Sequence, residues 1–408
     1  MKVITDKANP EFWLLSDPHL IADSLHDFGP RFEQMQATSA GKDITYQETA
    51  LRAFVKKVVE EKPDAVVITG DLTFNGAKAS AKKFAELFAP LKKAGVALIA
   101  IPGNHDIFDG WARRFEADQE YRVDQLSPRD WREIFSATYD LAESLDPNSL
   151  SFAVNLNPHW RLICLDSNIY GHQESYGHPI TSGNLTDSER AWLTQELETG
   201  QKADQEMLFF MHHNLYDHNS VVHDGFRLNN AAELLALLKK YPVRCAFSGH
   251  IHAQHIMAKN VAIPEIVSSC FAETDQGYGV VKLGNNQLDY RRQTFDIDRY
   301  LTEQEKKAYP FNDFHSYLVK VFDGANDQLM EHFLTFDSTA EGQEAISLLK
   351  KLHWNFFTGQ GNLTPAESAT LKKSVTYQKL LQMGPNLRWY LNSLTESQES
   401  SQELTLAW

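Results

Sequence analysis

The chain has 408 residues and a formal charge of −15, with 42% hydrophobic and 11% aromatic residues. That is enough apolar material to bury a core, so a disordered chain is excluded, and the length suits a large domain with a smaller one. The acidic balance excludes a non-specific grip on nucleic acid or an anionic membrane, which needs a basic face; phosphate chemistry stays open if metal ions supply positive charge locally.

The opening, MKVITDKANPEFWLLSDPHL, has no apolar stretch followed by small residues of the kind a secretory leader needs. No apolar run reaches the ~18 residues of a membrane span. Cys164, Cys245 and Cys270 lie among apolar neighbours, with neither zinc-site nor disulfide spacing. They read as buried thiols in a reducing compartment, so the cytoplasm is expected.

From Pro10 to about Arg292, short apolar runs alternate with amphipathic segments. FWLLS (12–16), AVVIT (65–69), ALIAI (97–101), RLICL (161–165), MLFFM (207–211) and RCAFS (244–248) read as buried strands. Capping boxes at Thr45-Tyr46-Gln47-Glu48 and Thr186-Asp187-Ser188-Glu189 open helices between them. The alternation indicates an α/β sandwich. AIPEIVSS, YGVVKLG and QLDYRRQ then read as antiparallel strands that complete a sheet. The expected catalytic domain spans 1–295. A helical C-terminal module with a polar tail, TESQESSQE, is expected over 296–408; Thr364-Pro365-Ala366-Glu367 caps one of its helices and Gly384-Pro385 stops it. Its aromatic residues, Trp354, Phe356, Phe357, Trp389 and Tyr390, read as core.

The chemistry falls just past five predicted strand ends, where α/β sheets place ligands. Asp17-Pro18-His19 follows the first, Gly70-Asp71 the second and Gly103-Asn104-His105-Asp106 the third. His212-His213-Asn214 and Gly249-His250-Ile251-His252 follow two later ones. Two divalent ions in one site need a bridging carboxylate and mixed oxygen and nitrogen donors. Asp17, His19, Asp71, Asn104, His212, His250 and His252 supply that mix. Any one of these blocks alone is more often a turn or a structural histidine. His213, beside His212, is expected to support the site or contact substrate.

The blocks D-x-H, G-D, G-N-H-D, H and G-H-x-H, in this order over roughly residues 10–292, resemble the signature of the calcineurin-like metallophosphoesterases. The resemblance implies a four-layer α/β/β/α sandwich of two mixed sheets. It implies that Asp17, His19 and His252 bind one metal, that Asn104, His212 and His250 bind the other, and that Asp71 bridges them. The cofactor is then two divalent ions, manganese, iron or zinc. A hydroxide bridging the metals would attack phosphorus, His105 would protonate the leaving alkoxide, and Asp106 would orient His105.

Phe74 stands where iron-tyrosinate purple acid phosphatases carry Tyr, and Pro102 where protein Ser/Thr phosphatases carry Arg. An arginine fork suits a dianionic monoester, so its absence favours a diester. GDLTFNG, GNHDIFDGWARRF and HHNLYDHN are similar to bacterial cyclic-nucleotide phosphodiesterase-type members, which also carry a small C-terminal helical domain. The expected activity is hydrolysis of a small phosphodiester, a cyclic nucleotide among the candidates, without stable nucleic-acid or membrane binding. The alternatives are a phosphomonoesterase or nuclease of the same family, or a non-catalytic scaffold. His172, Tyr176 and His178, and also His218, His223 and Arg227, either contact substrate or belong to solvated loops.

Overall fold

The computed structural model describes residues 1–171, 177, 179–335, 337–396 and 400–408. The strands in chain order are β1 (Glu11–Leu15), β2 (Ala65–Thr69), β3 (Ala97–Ile101), β4 (Arg113–Glu116), β5 (Gln119–Arg122), β6 (Ser144–Leu145), β7 (Phe152–Asn155) and β8 (Trp160–Cys164). They continue as β9 (Glu206–Phe210), β10 (Val243–Ser248), β11 (His255–Met257), β12 (Glu265–Val267), β13 (Tyr278–Leu283), β14 (Gln287–Gln293) and β15 (Glu403–Ala407). One sheet runs β15-β14-β13-β1-β2-β3 and the other β11-β12-β10-β9-β8-β7-β6, with β4-β5 a separate hairpin. Both larger sheets are mixed. β1 pairs parallel with β2 and antiparallel with β13, and β8 pairs parallel with β9 and antiparallel with β7.

The layering follows from alternation along strands buried on both faces. In β1, Phe12 and Leu14 point between the sheets, into a core shared with Phe152, Leu162, Phe210 and Phe247. Trp13 and Leu15 point the other way, against Leu51, Phe54, Phe84 and Phe88. Those partners lie on α2 (Gln47–Glu61) and α3 (Lys78–Ala94), which follow α1 (Pro30–Ala37). On the far sheet, Ile163, Phe209 and Ala246 meet Leu193, Leu197, Leu234 and Leu238. After α4 (Pro128–Ile134) and α5 (Ser136–Tyr139), those last four belong to α6 (Asp187–Lys202) and α7 (Ala231–Leu238). Helix, sheet, sheet, helix is the expected four-layer sandwich.

The expected box at Thr186 forms: its hydroxyl accepts from Glu189 N–H while Glu189 reaches back to the Thr186 N–H. The one expected at Thr45 does not form. Helix α2 begins at Gln47, Thr45 Oγ1 donates to Gln36 Oε1, and Asp43 Oδ1 accepts the Thr45 and Tyr46 N–H groups instead. A carboxylate two residues upstream has displaced the hydroxyl.

Beyond β14 the chain is helical: α8 (Glu303–Ala308), α9 (Phe314–Phe333), α10 (Ala340–Thr358), α11 (Pro365–Lys373), α12 (Val375–Met383) and α13 (Arg388–Ser393). Leu349 and Leu352 of α10, Tyr377 and Leu380 of α12 and Leu391 of α13 pack into one core. Trp389, expected inside, is 67% exposed. The final residues return to the sandwich, where β15 extends the first sheet beside β14. Trp408 Nε1 then donates to Glu206 Oε1 on β9 of the second sheet. Among the described residues no helix is long and apolar enough to cross a membrane.

Candidate metal centre

The C-terminal ends of β1, β2, β3, β9 and β10 share one rim, and the seven expected ligand side chains stand on it. Asp17, His19, Asp71 and His252 offer ligating atoms that all lie within 4.8 Å of one another, and so do Asp71, His212 and His250. Asp71 belongs to both groups. His19 Nε2 is 3.1 Å from His252 Nε2 and 3.7 Å from Asp71 Oδ2. His212 Nε2 is 3.4 Å from Asp71 Oδ2 and 3.0 Å from Asn104 Oδ1.

Three imidazoles have their remote nitrogen engaged. His212 Nδ1 donates to Thr69 O at 2.8 Å and His252 Nδ1 to Glu273 Oε1 at 2.8 Å. His250 Nε2 meets Thr181 O at 2.9 Å and Gly225 O at 3.2 Å. Each tautomer is thereby set, and the nitrogen turned toward the cluster is His212 Nε2, His252 Nε2 and His250 Nδ1, the three atoms a cation could use. Asp17 Oδ1 and Asp71 Oδ2 are buried and, among the described residues, have no hydrogen-bond partner. A buried carboxylate oxygen left unpaired beside imidazoles is costly unless a cation completes it, so the donor set fits the implied metals.

The backbone is bent to this end. Asp17, His19, Asp71, His250 and His252 have φ of 52°, 45°, 52°, 70° and 63°, the left-handed region that non-glycine residues avoid. The neighbouring glycines serve approach as much as turning: a side chain at Gly103 would overlap Asp71 Oδ1, and one at Gly249 the Ser16 hydroxyl.

His105 stands beside His19, ring centroids 5.1 Å apart, and is 28% exposed. Its Nδ1 contacts Phe74 O at 2.9 Å and Asp109 Oδ2 at 3.3 Å, so Nε2 is free toward the rim. Burial opposes protonation, but the charge of Asp71 and the Asp109 contact raise its pKa. The partner expected for it, Asp106, is engaged elsewhere. Asp106 is fully buried and accepts the N–H groups of Leu72, Thr73 and Gly103 at 3.1, 2.8 and 2.8 Å. It ties the Asp71 loop to the Asn104 loop, and burial with the Asp71 charge pushes its pKa to about 7. Asp109 takes the orienting position instead. The sequence carries no local periodicity that would have selected Asp109 over its neighbour.

Of the two roles expected of His213, its surroundings match the supporting one: it is fully buried with both nitrogens taken, by Ser167 Oγ at 2.8 Å and Thr181 O at 3.0 Å. Burial and the neighbouring His212 push its pKa down to about 3. It props the carbonyl that also fixes His250. His218 is buried between Glu265 and His255, while His223 pairs with Asp224 and Arg227 with Asp217. His172, Tyr176 and His178 lie outside the described residues. Glu273, which orients His252, was not expected; it sits in SSCFAETDQ, where no spacing marks it.

The family model described as calcineurin-like phosphoesterase matches residues 10–254, and one described as the C-terminal domain of cyclic nucleotide phosphodiesterase matches residues 296–401. A probable glycerophosphodiester phosphodiesterase of Arcobacter nitrofigilis is 33% identical over 196 residues, 48% of this chain and 58% of that protein. A 3′,5′-cyclic adenosine monophosphate phosphodiesterase of Vibrio vulnificus is 25% identical over 209 residues, 51% of this chain and 61% of its own. The chain thus spans less than two thirds of either relative. Among solved structures, a dimetal phosphatase from Danio rerio has the same fold, with a TM-score of 0.52 and 14% identity over 70% of this chain and 96% of that one.

Proposed function

The chain belongs to the calcineurin-like phosphoesterases, and from that premise we propose that it is a dinuclear-metal phosphodiesterase acting on a small phosphodiester. The observation that carries the reading is Asp71: one buried carboxylate common to two clusters of ligating atoms, with Oδ2 otherwise unpaired. Asp17, His19 and His252 would complete one cation's site, and Asn104, His212 and His250 the other's. Bound there, the two cations supply a water of lowered pKa and neutralise charge on the phosphoryl oxygens.

The chain's own groups do the rest. Thr69 O, Thr181 O and Glu273 hold the imidazoles in the tautomers that ligate. Asp106 keeps the Asp71 and Asn104 loops in register. His105, its Nδ1 held by Phe74 O and Asp109, presents Nε2 to give a proton to the leaving alkoxide. Pro102 occupies the position before Gly103 where protein Ser/Thr phosphatases carry an arginine, and both relatives named above are described as diesterases. A cyclic nucleotide is the preferred substrate class, since the C-terminal region matches that family's domain. Three unpaired, buried cysteines favour a reducing compartment, the cytoplasm.

The deciding measurement compares manganese-loaded protein on bis-p-nitrophenyl phosphate, p-nitrophenyl phosphate and cyclic nucleotides, with Asp71→Asn as the blank. Diester cleavage should exceed monoester cleavage at least about tenfold, a difference of one charge-assisted hydrogen bond. A monoester cleaved as fast as the diester would overturn the preference.

A further inference from the structure

The segment between α1 and α2 brings to this rim a cation that the proposed chemistry has not used. Lys42 is 12% exposed, and its ammonium donates to Ser39 O at 3.3 Å and lies 3.6 Å from Glu273 Oε1. The same glutamate oxygen accepts from His252 Nδ1. An ammonium carries three donors. Ser39 takes one, and at 3.6 Å Glu273 is an ion-pair partner beyond hydrogen-bond range. Among the described residues, donor capacity is left over beside the centre. The positive charge is felt at His19, His252 and His105, where it opposes protonation of each.

The segment is built to hold that side chain in place. Lys42 O accepts from Gln36 Nε2 and Ser39 Oγ, both at 2.7 Å, and Asp43 N donates to Ala272 O at 2.7 Å. From the helical module, Tyr317 OH donates to Asp43 Oδ1 at 3.0 Å, and the ring of Phe322 lies against Gly41. A flexible surface lysine has no need of five such contacts on its own carbonyl and its chain neighbours Gly41 and Asp43.

We propose that Lys42 is a substrate-binding residue, whose ammonium donates to a non-bridging oxygen of the phosphodiester from the side of His19 and His252. A single point charge suits a singly charged phosphate, as an arginine fork suits a doubly charged one. The inference rests on the diesterase reading above. The competing role is structural: Lys42 as mere counter-charge to Glu273, acting through His252 on metal retention.

The experiment measures KM, kcat and bound manganese per chain for wild type, Lys42→Met and Lys42→Arg on bis-p-nitrophenyl phosphate. Lys42→Met should raise KM about tenfold or more, the loss of a charge-assisted hydrogen bond. Its kcat should stay within about threefold and its manganese content unchanged, because uniform binding is what is removed. Lys42→Arg should recover most of the KM. An unchanged KM in Lys42→Met overturns the role, and so does a fall in bound manganese that accounts for the activity lost. A wild-type chain inactive on the diester sinks the underlying reading; an active one with Lys42→Met at wild-type KM sinks the Lys42 role alone.

Discussion

In the helical module α8 through α12 each start at a Thr, Asp or Ser whose side chain accepts a free N–H of the first turn: Thr302, Asp313, Thr339, Thr364 and Ser374. At the rim of the sandwich the chain instead holds Asp17, His19, Asp71, His250 and His252 in the left-handed region and, among the described residues, leaves the buried Asp17 Oδ1 and Asp71 Oδ2 without a hydrogen-bond partner. Among the described residues, the module's helices give their buried side-chain polar groups partners: His353 Nε2 meets Tyr390 OH at 3.0 Å and its Nδ1 meets Asn326 Oδ1. On the proposed reading, the rim leaves that satisfaction to the cations it would hold. Local rules are kept where the task is packing and broken where it is chemistry.

The sharpest way to break this contrast is Asp71→Asn. If the rim is strained for function, kcat should fall on the order of a thousandfold or more, as a shared ligand's charge is lost. Manganese should also raise the unfolding temperature of the variant far less than that of wild type, because a side chain proposed to hold both cations is altered. A variant that manganese stabilises as strongly as wild type would show that Asp71 does not hold the cations and would erase the distinction.

The same contrast explains what was legible in the sequence. FWLL, AVVIT, ALIAI and MLFF announce themselves because strands buried on both faces must be continuously apolar. The proposed ligand residues announce themselves by type and by place after each strand. Asp109 does not, because its contact with His105 is made across a loop, and the adjacent Asp106 is the more obvious choice. Lys42 does not either, since it reaches the rim only through tertiary contacts of a 39–43 segment with no periodicity. Strand β15 follows a polar tail and is recruited by the open edge of β14, a partner remote in sequence. Chemistry carried by residue type is readable; positioning carried by long-range contact is not.

A second test works from the module's side. Leu380 is fully buried in the core formed with Leu349, Leu352 and Leu391. Leu380→Ala should cost roughly 2–5 kcal/mol, the usual range for such a cavity. The folded protein should keep kcat within about threefold, because Leu380 reaches the rim only indirectly, through Phe356, which packs against this core. Phe356 and Phe357 pack on Ile251 and Ala253, the residues on either side of His252. Denaturant unfolding and steady-state kinetics on the same preparation check both halves. A large kcat loss with little change in stability would invert the assignment of packing to the module and chemistry to the rim.

The smallest effect expected is on pH, and its sign follows from burial. His353 is 2% exposed, and burial pushes its pKa down to about 4 from the usual 6.5. Below pH 6.5 the unfolded chain takes up a proton at this residue while the folded module does not until about pH 4. Stability should therefore fall as pH drops through that window and be fully present above it. Between pH 7 and 5 the loss is roughly 2 kcal/mol, at ~1.4 kcal/mol per pH unit below 6.5. His353→Gln keeps hydrogen-bonding groups for Asn326 and Tyr390 but cannot titrate. Its stability should be lower than wild type at pH 7 and should lose less on acidification, read from denaturant midpoints at pH 7 and 5. The slope difference must be confined to α9, α10 and α13 in hydrogen exchange, since those helices carry Asn326, His353 and Tyr390. Equal slopes in wild type and variant would mean that His353 is as open to protons in the module as in the unfolded chain, and the well-satisfied interior ascribed to this region would not be there.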